Sequence, residues 1–140
     1  LPPAPPGAPT VLLTTFPNEP HGLGLLMAEA MLVLQGCHCL SLGVQTPLAE
    51  VPAAARAHRA DAVALSFSAL MSPRAVLDAL IELRSTLPLE VQLWAGGDAP
   101  VLRRRAIEGV LAIAALEAIG EHAQRLRSAP AAAEPHPPTG

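Results

Sequence analysis

Five short apolar runs alternate with five helix-like segments along this chain, and this alternation constrains the fold more than any other feature. The apolar runs predict strands at 10–16, 38–42, 62–66, 90–95 and 110–113. The segments between them predict helices at 23–35, 47–58, 73–87, 99–108 and 117–127. Strands that alternate with helices form a parallel sheet covered on both faces. The sequence therefore predicts an α/β fold, a Rossmann-like (flavodoxin-like) doubly wound sheet of five parallel strands.

Local signals support several of these boundaries. Gly36 follows the first helical pattern and is typical of a helix end. Ser72 and Pro73 are a capping residue and a first-turn residue, and together they predict the start of the third helix. Pro47 suits the first turn of the second helix, but Pro52 interrupts that pattern. The regular part of the second helix is therefore expected to begin only at Pro52.

The ends of the chain differ from its middle in composition. The length of 140 residues suits one domain, predicted over 10–127. Residues 1–9 are Pro-rich and predict a semi-rigid linker, whereas 128–140 predict a disordered tail. A linker at this position indicates a domain that belongs to a larger protein.

Composition excludes several classes of function. The net charge is −3 and charged residues make up 15% of the chain, which argues against direct nucleic-acid binding by this domain. Cys37 and Cys39 are too few and too close for a disulfide framework, and they fit a reducing compartment. Because no apolar stretch resembles a membrane span, we expect a cytoplasmic protein without membrane contact.

Three predicted loops should meet at the carboxyl edge of the sheet, where such folds bind ligands. They are 17–24 after the first strand, 67–71 after the third and Gly96-Gly97 after the fourth. Gly22-Leu23-Gly24 is part of a dinucleotide-binding pattern, but Met27 occupies the third glycine position and the chain contains no Lys for a phosphate loop. Nucleotide binding is therefore not favoured.

His21 is the most informative residue of the first loop. Glu19 could accept a hydrogen bond from one imidazole nitrogen and leave the other free to coordinate a metal. Carboxylates play this role beside metal-bound histidines. The simpler interpretation is a loop histidine that caps the following helix. A single histidine is too few ligands for a free zinc ion. It would suffice for a metal already held by a macrocycle.

Four motifs in order resemble those of cobalamin-binding domains, and they cover nearly all of the chain between its two ends. Glu19-x-His21-x-x-Gly24 is similar to the D/E-x-H-x-x-G motif of that family. The other three are the turn Leu42-Gly43-x-x-x-Pro47, the S-x-L motif Ser68-Ala69-Leu70 and the double glycine Gly96-Gly97.

The resemblance implies a role for each site residue. His21 would be the lower axial ligand of cobalt, and Glu19 would orient it. The nucleotide tail of the cofactor would enter a slot between the first and third strands, kept open by Gly24. Ser68 would bind the benzimidazole of the tail. The remaining implied cofactor contacts are Gly22, Ser66, Leu70, Gly96 and Gly97.

The first motif also suggests which kind of cobalamin protein this is. Glu19-x-His21-x-Leu23-Gly24-Leu25-x-Met27 resembles the C-terminal sensor domain of MerR-type, light-responsive repressors. This resemblance implies a domain that is not an enzyme and binds adenosylcobalamin or methylcobalamin. It also implies self-association through the full-length protein and a separate N-terminal domain that binds DNA. The alternatives are a corrinoid carrier domain of a methyltransferase or mutase, and a receiver-like interaction domain, which would need an acidic cluster at the strand ends.

Other chemistry-bearing residues are expected to have structural roles. Cys37-His38-Cys39 would alternate along a strand, so that both cysteines lie on one face as small apolar residues rather than metal ligands. Trp94, Met27 and Met31 are expected in the core. Arg103-Arg104-Arg105 is expected to form a solvated face. Ser66 and Ser68 lack the glycine elbow of a hydrolase nucleophile.

Overall fold

A computed structural model of the chain describes residues 7–15, 23–42, 46–113 and 116–128, with side chains at 7–15, 27–42, 46–113 and 118–126. The strands within these ranges are β1 (Thr10–Thr15), β2 (His38–Ser41), β3 (Ala62–Phe67), β4 (Gln92–Gly97) and β5 (Val110–Ala112). The helices are α1 (Leu23–Leu34), α2 (Glu50–Ala57), α3 (Pro73–Thr86), α4 (Val101–Arg104) and α5 (Leu116–Ser128). The predicted tails, 1–6 and 129–140, lie outside the described residues.

The strands form one sheet in the order β2-β1-β3-β4-β5, and each neighbouring pair is parallel. The chain passes from β1 outward to β2 and then crosses to β3 on the other side of β1. This reversal places the switch point of the sheet between β1 and β3, where doubly wound folds bind ligands. The predicted fold class is confirmed.

Two apolar clusters lie on opposite faces of the sheet because successive strand residues point to opposite sides. One cluster joins Leu12, Val63, Leu65 and Leu93 to helices α2, α3 and α4. The other joins strand residues such as Leu13 and Trp94 to α1 and α5. The sheet is therefore covered by helices on both faces, as the near-continuous apolar runs predict.

The helix signals at Ser72-Pro73 and at Gly36 act as ordinary helix chemistry predicts. The Ser72 hydroxyl accepts a hydrogen bond from the Ala75 backbone N–H at 3.1 Å, which caps α3 in front of Pro73. Gly36 has φ +83° just after α1, in the left-handed region that ends many helices. Two expectations for α2 are wrong: Pro47 precedes the helix and does not lie in its first turn, and the regular part does not begin at Pro52. Helix α2 begins at Glu50 because Pro52 lies in its first turn, where no backbone N–H needs an intrahelical acceptor.

The connection between β4 and β5 differs most from the prediction. Helix α4 is a single turn, whereas the sequence predicted a helix over 99–108. Arg105 has an extended backbone, with φ −134° and ψ 128°, and this ends the helix. Ile107 then packs against the cluster beneath α3. The burial of Ile107 in an extended segment outweighs the helix propensity of the preceding arginines.

Strand β4 also runs further than predicted, to Gly97 instead of Ala95. Gly96 and Gly97 are therefore its last two residues and do not lie in a loop. None of the helices within the described ranges has the length and apolar character needed to cross a membrane.

Candidate functional site

A row of small residues crosses the carboxyl edge of the three central strands. Thr15 of β1 pairs in register with Ser66 of β3, and Ser66 pairs with Gly96 of β4. All three lie on the face covered by α1 and α5, because Leu13, Ala64 and Trp94, two residues before them in each strand, belong to the packing on that face. This edge of the sheet is therefore lined by the small side chains of Thr15 and Ser66 and by Gly96, which has no side chain.

The same face of β3 carries small side chains along the whole strand. Ala62, Ala64 and Ser66 point toward α1 and α5, whereas the larger Val63, Leu65 and Phe67 are buried on the other face. Ala64 and Ser66 are only half-buried, although β3 is the middle strand of a sheet that is covered on both faces. The carboxyl half of β3 is therefore partly accessible on this face, and we refer to this accessible strip at Ala64 and Ser66 as the slot. Ala62, the first residue of β3, is on the same face and is fully buried.

Gly96 and Gly97 are needed for different reasons. A Cβ atom on Gly96 would have Ile113 Cβ, at 3.7 Å, as its nearest neighbour, which is an ordinary contact distance. A Cβ on Gly97 would lie 2.1 Å from the Phe67 carbonyl oxygen, and Gly97 also has φ +102°. Gly97 is required by the close approach of β4 to β3, whereas the chain itself has room for a side chain at Gly96.

The predicted S-x-L motif forms the turn after β3. The Ser68 hydroxyl accepts a hydrogen bond from the Leu70 backbone N–H at 3.2 Å, and the Ser68 carbonyl accepts one from Met71 at 3.3 Å. This short-range bonding is the usual local use of serine in turns. The Leu70 side chain is 82% exposed at the carboxyl edge of the sheet. Such an exposed leucine beside a slot is apolar surface that a ligand could cover.

A buried pair of threonines secures the strand end on the opposite face, and sequence reasoning missed it. The Thr14 hydroxyl donates to the Thr46 hydroxyl at 2.6 Å, and the Thr46 hydroxyl donates to the Leu42 carbonyl at 3.3 Å. These bonds tie the end of β1 to Leu42 and Thr46, which follow β2 in the chain. The only sequence signal is a polar Thr14-Thr15 pair at the end of an apolar strand.

Trp94 lies beside the slot, in register with Ala64, and is fully buried. Its indole N–H donates to the Gln92 side-chain oxygen at 2.9 Å, and its ring centroid is 5.7 Å from that of His122 on α5. Burial lowers the pKa of His122, and nearby Arg125 lowers it further while Glu121 opposes the change. The expectation that Trp94 belongs to the core is confirmed.

Some predicted site residues lie outside the part of the chain that the structure describes. They are Glu19, His21 and Gly22. Gly24 is the second residue of α1. The structure brings together Ser66 and Gly96 in the slot, with Gly97 and Ser68 at its rim.

The Cys37-His38-Cys39 segment behaves as expected of apolar strand residues. Cys37 is buried and Cys39 packs against the same cluster, whereas His38 is exposed. Burial, with smaller effects of Cys37 and Glu29, raises the pKa of the Cys39 thiol to about 12, so it is a poor metal ligand. Across the described ranges, no group of three or more His, Cys, Asp or Glu could hold a metal ion.

Met27 contradicts the expectation that both methionines of α1 are core residues. Met31 packs against the α1/α5 cluster, but Met27 is 47% exposed. The two residues are four positions apart, a spacing that rotates the helix by slightly more than one turn.

The sequence matches the family described as the B12 binding domain over residues 9–127. It is also 38% identical over 88 residues to the HTH-type transcriptional repressor CarH of Myxococcus xanthus. That match covers 63% of this chain and 29% of the repressor, so the chain spans under a third of that relative.

Solved structures with the same fold include corrinoid proteins. A cobalamin-binding protein of Desulfitobacterium hafniense has a TM-score of 0.63 at 20% identity, over 86% of this chain and 60% of that one. The methanol:cobalamin methyltransferase complex of Methanosarcina barkeri has a TM-score of 0.73 at 15% identity, over 86% and 47%. The monomethylamine corrinoid protein of the same organism has a TM-score of 0.66 at 20% identity, over 84% and 57%. At these identities the likeness establishes the fold.

Proposed function

This chain belongs to the B12-binding domain family, and from that membership we infer that it is the cobalamin-binding sensor domain of a transcriptional repressor. Cobalamin is the cofactor of the family. The repressor assignment is supported by the 38% identity to the repressor of Myxococcus xanthus. In this proposal the domain is not an enzyme, and DNA is bound by another part of the full-length protein.

The observation that carries the proposal is the slot over the carboxyl half of β3. Ala64 and Ser66 of this middle strand are half-buried, and Gly96, which pairs in register with Ser66, has no side chain. The residues present fit an elongated group: small side chains line its path, the Ser66 hydroxyl offers a hydrogen bond, and the surrounding cluster is apolar. A nucleotide tail has this combination of a flat apolar base and a polar backbone. We place it in this slot.

In this proposal, some residues around the slot bind the cofactor and others hold the edge of the sheet in place. Ser66, Ser68 and Gly96 contact the tail, with Gly24 leaving room for it at the start of α1. Gly97 supports the strand edge because its close approach to Phe67 sets the position of the following residues. Leu70 covers the cofactor with the apolar surface that it now exposes to solvent.

His21, with Glu19 and Gly22 beside it, completes the proposed site. Bound cobalamin would supply a cobalt ion, which the His21 imidazole would coordinate. Glu19 would accept a hydrogen bond from the N–H of the other ring nitrogen of His21, which fixes the ring and raises its basicity. The segment that contains both residues follows β1 directly in the sequence, and Thr15 of β1 pairs in register with Ser66 of the slot.

An absorbance titration with adenosylcobalamin and methylcobalamin tests this assignment. We expect the wild-type chain to bind with a spectral change that His21→Ala abolishes, because that variant removes the axial nitrogen. Glu19→Gln should weaken binding about 10–100-fold, as loss of a partner of a metal-bound histidine does. His58→Ala is the matched control, because it removes an exposed histidine at the carboxyl end of α2, and it should bind like the wild type. An unchanged spectrum in His21→Ala would show that another group coordinates the cobalt.

A second pair of variants tests the slot without involving the axial ligand. Ala64→Leu fills the slot and should weaken binding of either cobalamin. Ala54→Leu places the same extra volume at another half-buried alanine, on α2 and against the opposite cluster, and should leave binding unchanged. Equal affinities for the two variants would place the tail elsewhere.

The alternative is a corrinoid carrier domain of a methyltransferase or mutase. The likeness to the two Methanosarcina barkeri proteins is at or below 20% identity and supports the fold alone. The repressor relative is nearly twice as similar in sequence, which favours the sensor. The light response of the repressors that the motif resembles is part of the proposal. In the full-length protein, illumination of the adenosylcobalamin-bound form should reduce operator binding, whereas a carrier domain would have no operator to release.

A further inference from the structure

Two buried threonines join the end of β1 to the segment that follows β2, and the proposed site uses neither of them. Thr14 is fully buried and Thr46 is 8% exposed. The Thr14 hydroxyl donates to the Thr46 hydroxyl at 2.6 Å, at the short end of the usual range for two hydroxyls. Thr14 comes one residue before Thr15 in the strand, so its side chain points to the face opposite the slot. The pair therefore does not line the slot.

The threonine bond lies at a point where the two sides of β1 are paired to different lengths. Strand β1 pairs with β3 up to Thr15, but with β2 only up to Leu13. The Leu42 N–H then donates to the Leu13 carbonyl at 2.9 Å. Beyond that backbone bond, the hydroxyl bond from Thr14 to Thr46 holds the end of β1 on the side of β2.

The stability of the fold does not account for this pair. Each hydroxyl has a second acceptor, since the Thr14 hydroxyl oxygen lies 3.2 Å from the Thr15 carbonyl oxygen and Thr46 donates to the Leu42 carbonyl at 3.3 Å. Removal of one hydroxyl therefore leaves the other with an acceptor. Replacement of both partners of a buried hydrogen bond by apolar groups of the same shape is nearly neutral for stability. Two valines would thus fill these positions with little effect on folding.

The pair does fix the point at which the chain leaves the sheet. Residues 16–22 follow Thr15 directly in the sequence and contain Glu19 and His21, and α1 begins at Leu23. A metal ligand has to be held within about 0.5 Å of its productive position by the residues that support it. An anchored strand end reduces the conformational freedom that must be lost when a ligand in the following segment coordinates a metal.

We infer that Thr14 and Thr46 are positioning residues for the proposed axial ligand, because their hydrogen bond fixes the strand end from which the segment with His21 starts. The inference rests on the proposed function, since it requires a cofactor that His21 coordinates. Neither threonine touches the cofactor in this arrangement. Their effect should therefore be seen in the coordination of cobalt and not in the binding of the nucleotide tail.

Absorbance titrations with two corrinoids separate this role from that of the slot. Aquocobinamide lacks the nucleotide tail, so axial coordination contributes to its binding but the slot does not, whereas adenosylcobalamin engages both. Coordination by the His21 imidazole should change the absorbance of aquocobinamide bound to the wild-type chain. Thr14→Val should lower the affinity for both corrinoids about tenfold, the lower end of the effect of residues that support a metal ligand. Ala64→Leu should weaken the binding of adenosylcobalamin alone.

Further variants assign the effect to the hydrogen bond itself. Thr46→Val and the double variant Thr14→Val/Thr46→Val should each lose as much affinity as Thr14→Val, because all three remove the same bond. Thr14→Ser keeps the hydroxyl and should bind like the wild type. Thr10→Val is the matched control, because it makes the same substitution at the other end of the same strand, and it should also bind like the wild type. Urea unfolding checks that every variant is folded.

Three results would overturn the inference alone. One is a Thr14→Val variant that binds aquocobinamide with the affinity and the absorbance change of the wild type. Another is a Thr14→Ser variant that loses as much affinity as Thr14→Val, since the hydroxyl would then not be the cause. The third is a double variant that loses the sum of the two single effects. A wild-type chain without the absorbance change, or a His21→Ala variant that keeps it, would instead overturn the proposed function, and this inference with it.

Discussion

Gly96 and Gly97 show how two adjacent residues of one motif can have separate causes. The left-handed backbone of Gly97 and its contact with the Phe67 carbonyl belong to the fold. A Cβ at Gly96 would make only an ordinary contact with Ile113, so the fold does not explain a glycine there. A double glycine read from sequence therefore combines one structural requirement with one position at which the requirement comes from the proposed ligand.

Alanine substitutions should separate these two causes. Gly97→Ala should destabilise the chain by about 1–3 kcal/mol or more, because Ala is strained at positive φ and its Cβ clashes with backbone. Gly96→Ala should keep or slightly raise the unfolding temperature, since Ala is less flexible than Gly in the unfolded chain. It should nevertheless weaken cobalamin binding by filling part of the slot. Thermal unfolding followed by absorbance titration measures both. A Gly96→Ala variant that binds normally would remove Gly96 from the site.

At the scale of elements, sequence patterns predicted the order and type of all ten helices and strands but not the length of each. Apolar runs and helix signals such as Ser72-Pro73 are local, so they predicted β3 and α3 nearly to the residue. Helix α4 ends before Ile107, which packs against a cluster that includes residues of α3, and no local pattern contains that long-range contact. The slot was expected from a family resemblance. Its lining by alternate residues of β3 became visible only with the strand register, and the Thr14–Thr46 bond only with the turn after β2.

The packing of α5 on the sheet should depend on pH through His122. Burial lowers the pKa of His122 in the folded chain, so the unfolded chain binds a proton more readily. The stability that His122 contributes is therefore full above about pH 6.5, the ordinary pKa of histidine, and decreases as pH falls below that value. Urea unfolding at pH 7.5 and 5.5 should show a smaller loss for His122→Gln than for the wild type.

The exposed His58→Gln is the control for that experiment, because it removes an imidazole that does not contact α5 or Trp94. It should retain the wild-type loss of stability between the two pH values. If His122→Gln lost as much stability between pH 7.5 and 5.5 as the wild type, the pH dependence would come from a group other than His122.

At the scale of the whole molecule, the two apolar clusters share their strands. Leu12 and Leu13 of β1, and Leu93 and Trp94 of β4, are consecutive residues that point into opposite clusters. Neither face can lose its packing while the strands that serve the other remain in place. The described part of the chain should therefore unfold as one cooperative unit.

Trp94 provides the measurement, because it is the single tryptophan of the chain and lies in the α1/α5 cluster. Its fluorescence reports that cluster, whereas far-UV circular dichroism reports all helices, including α2 and α3 of the other cluster. The two signals should give the same midpoint and slope in urea. A fluorescence transition that precedes the loss of helical signal would show that the two faces unfold separately.

The single turn of α4 also has a consequence for protein engineering and for how related chains could diverge. The connection between β4 and β5 is a place where the outer layer can be lengthened without moving a strand, since its ends are fixed by the sheet. Insertion of two helical turns there would cover Ile81 within one molecule. Such a chain would gain a closed outer layer over α3 and lose the apolar surface that Ile81 now exposes to solvent.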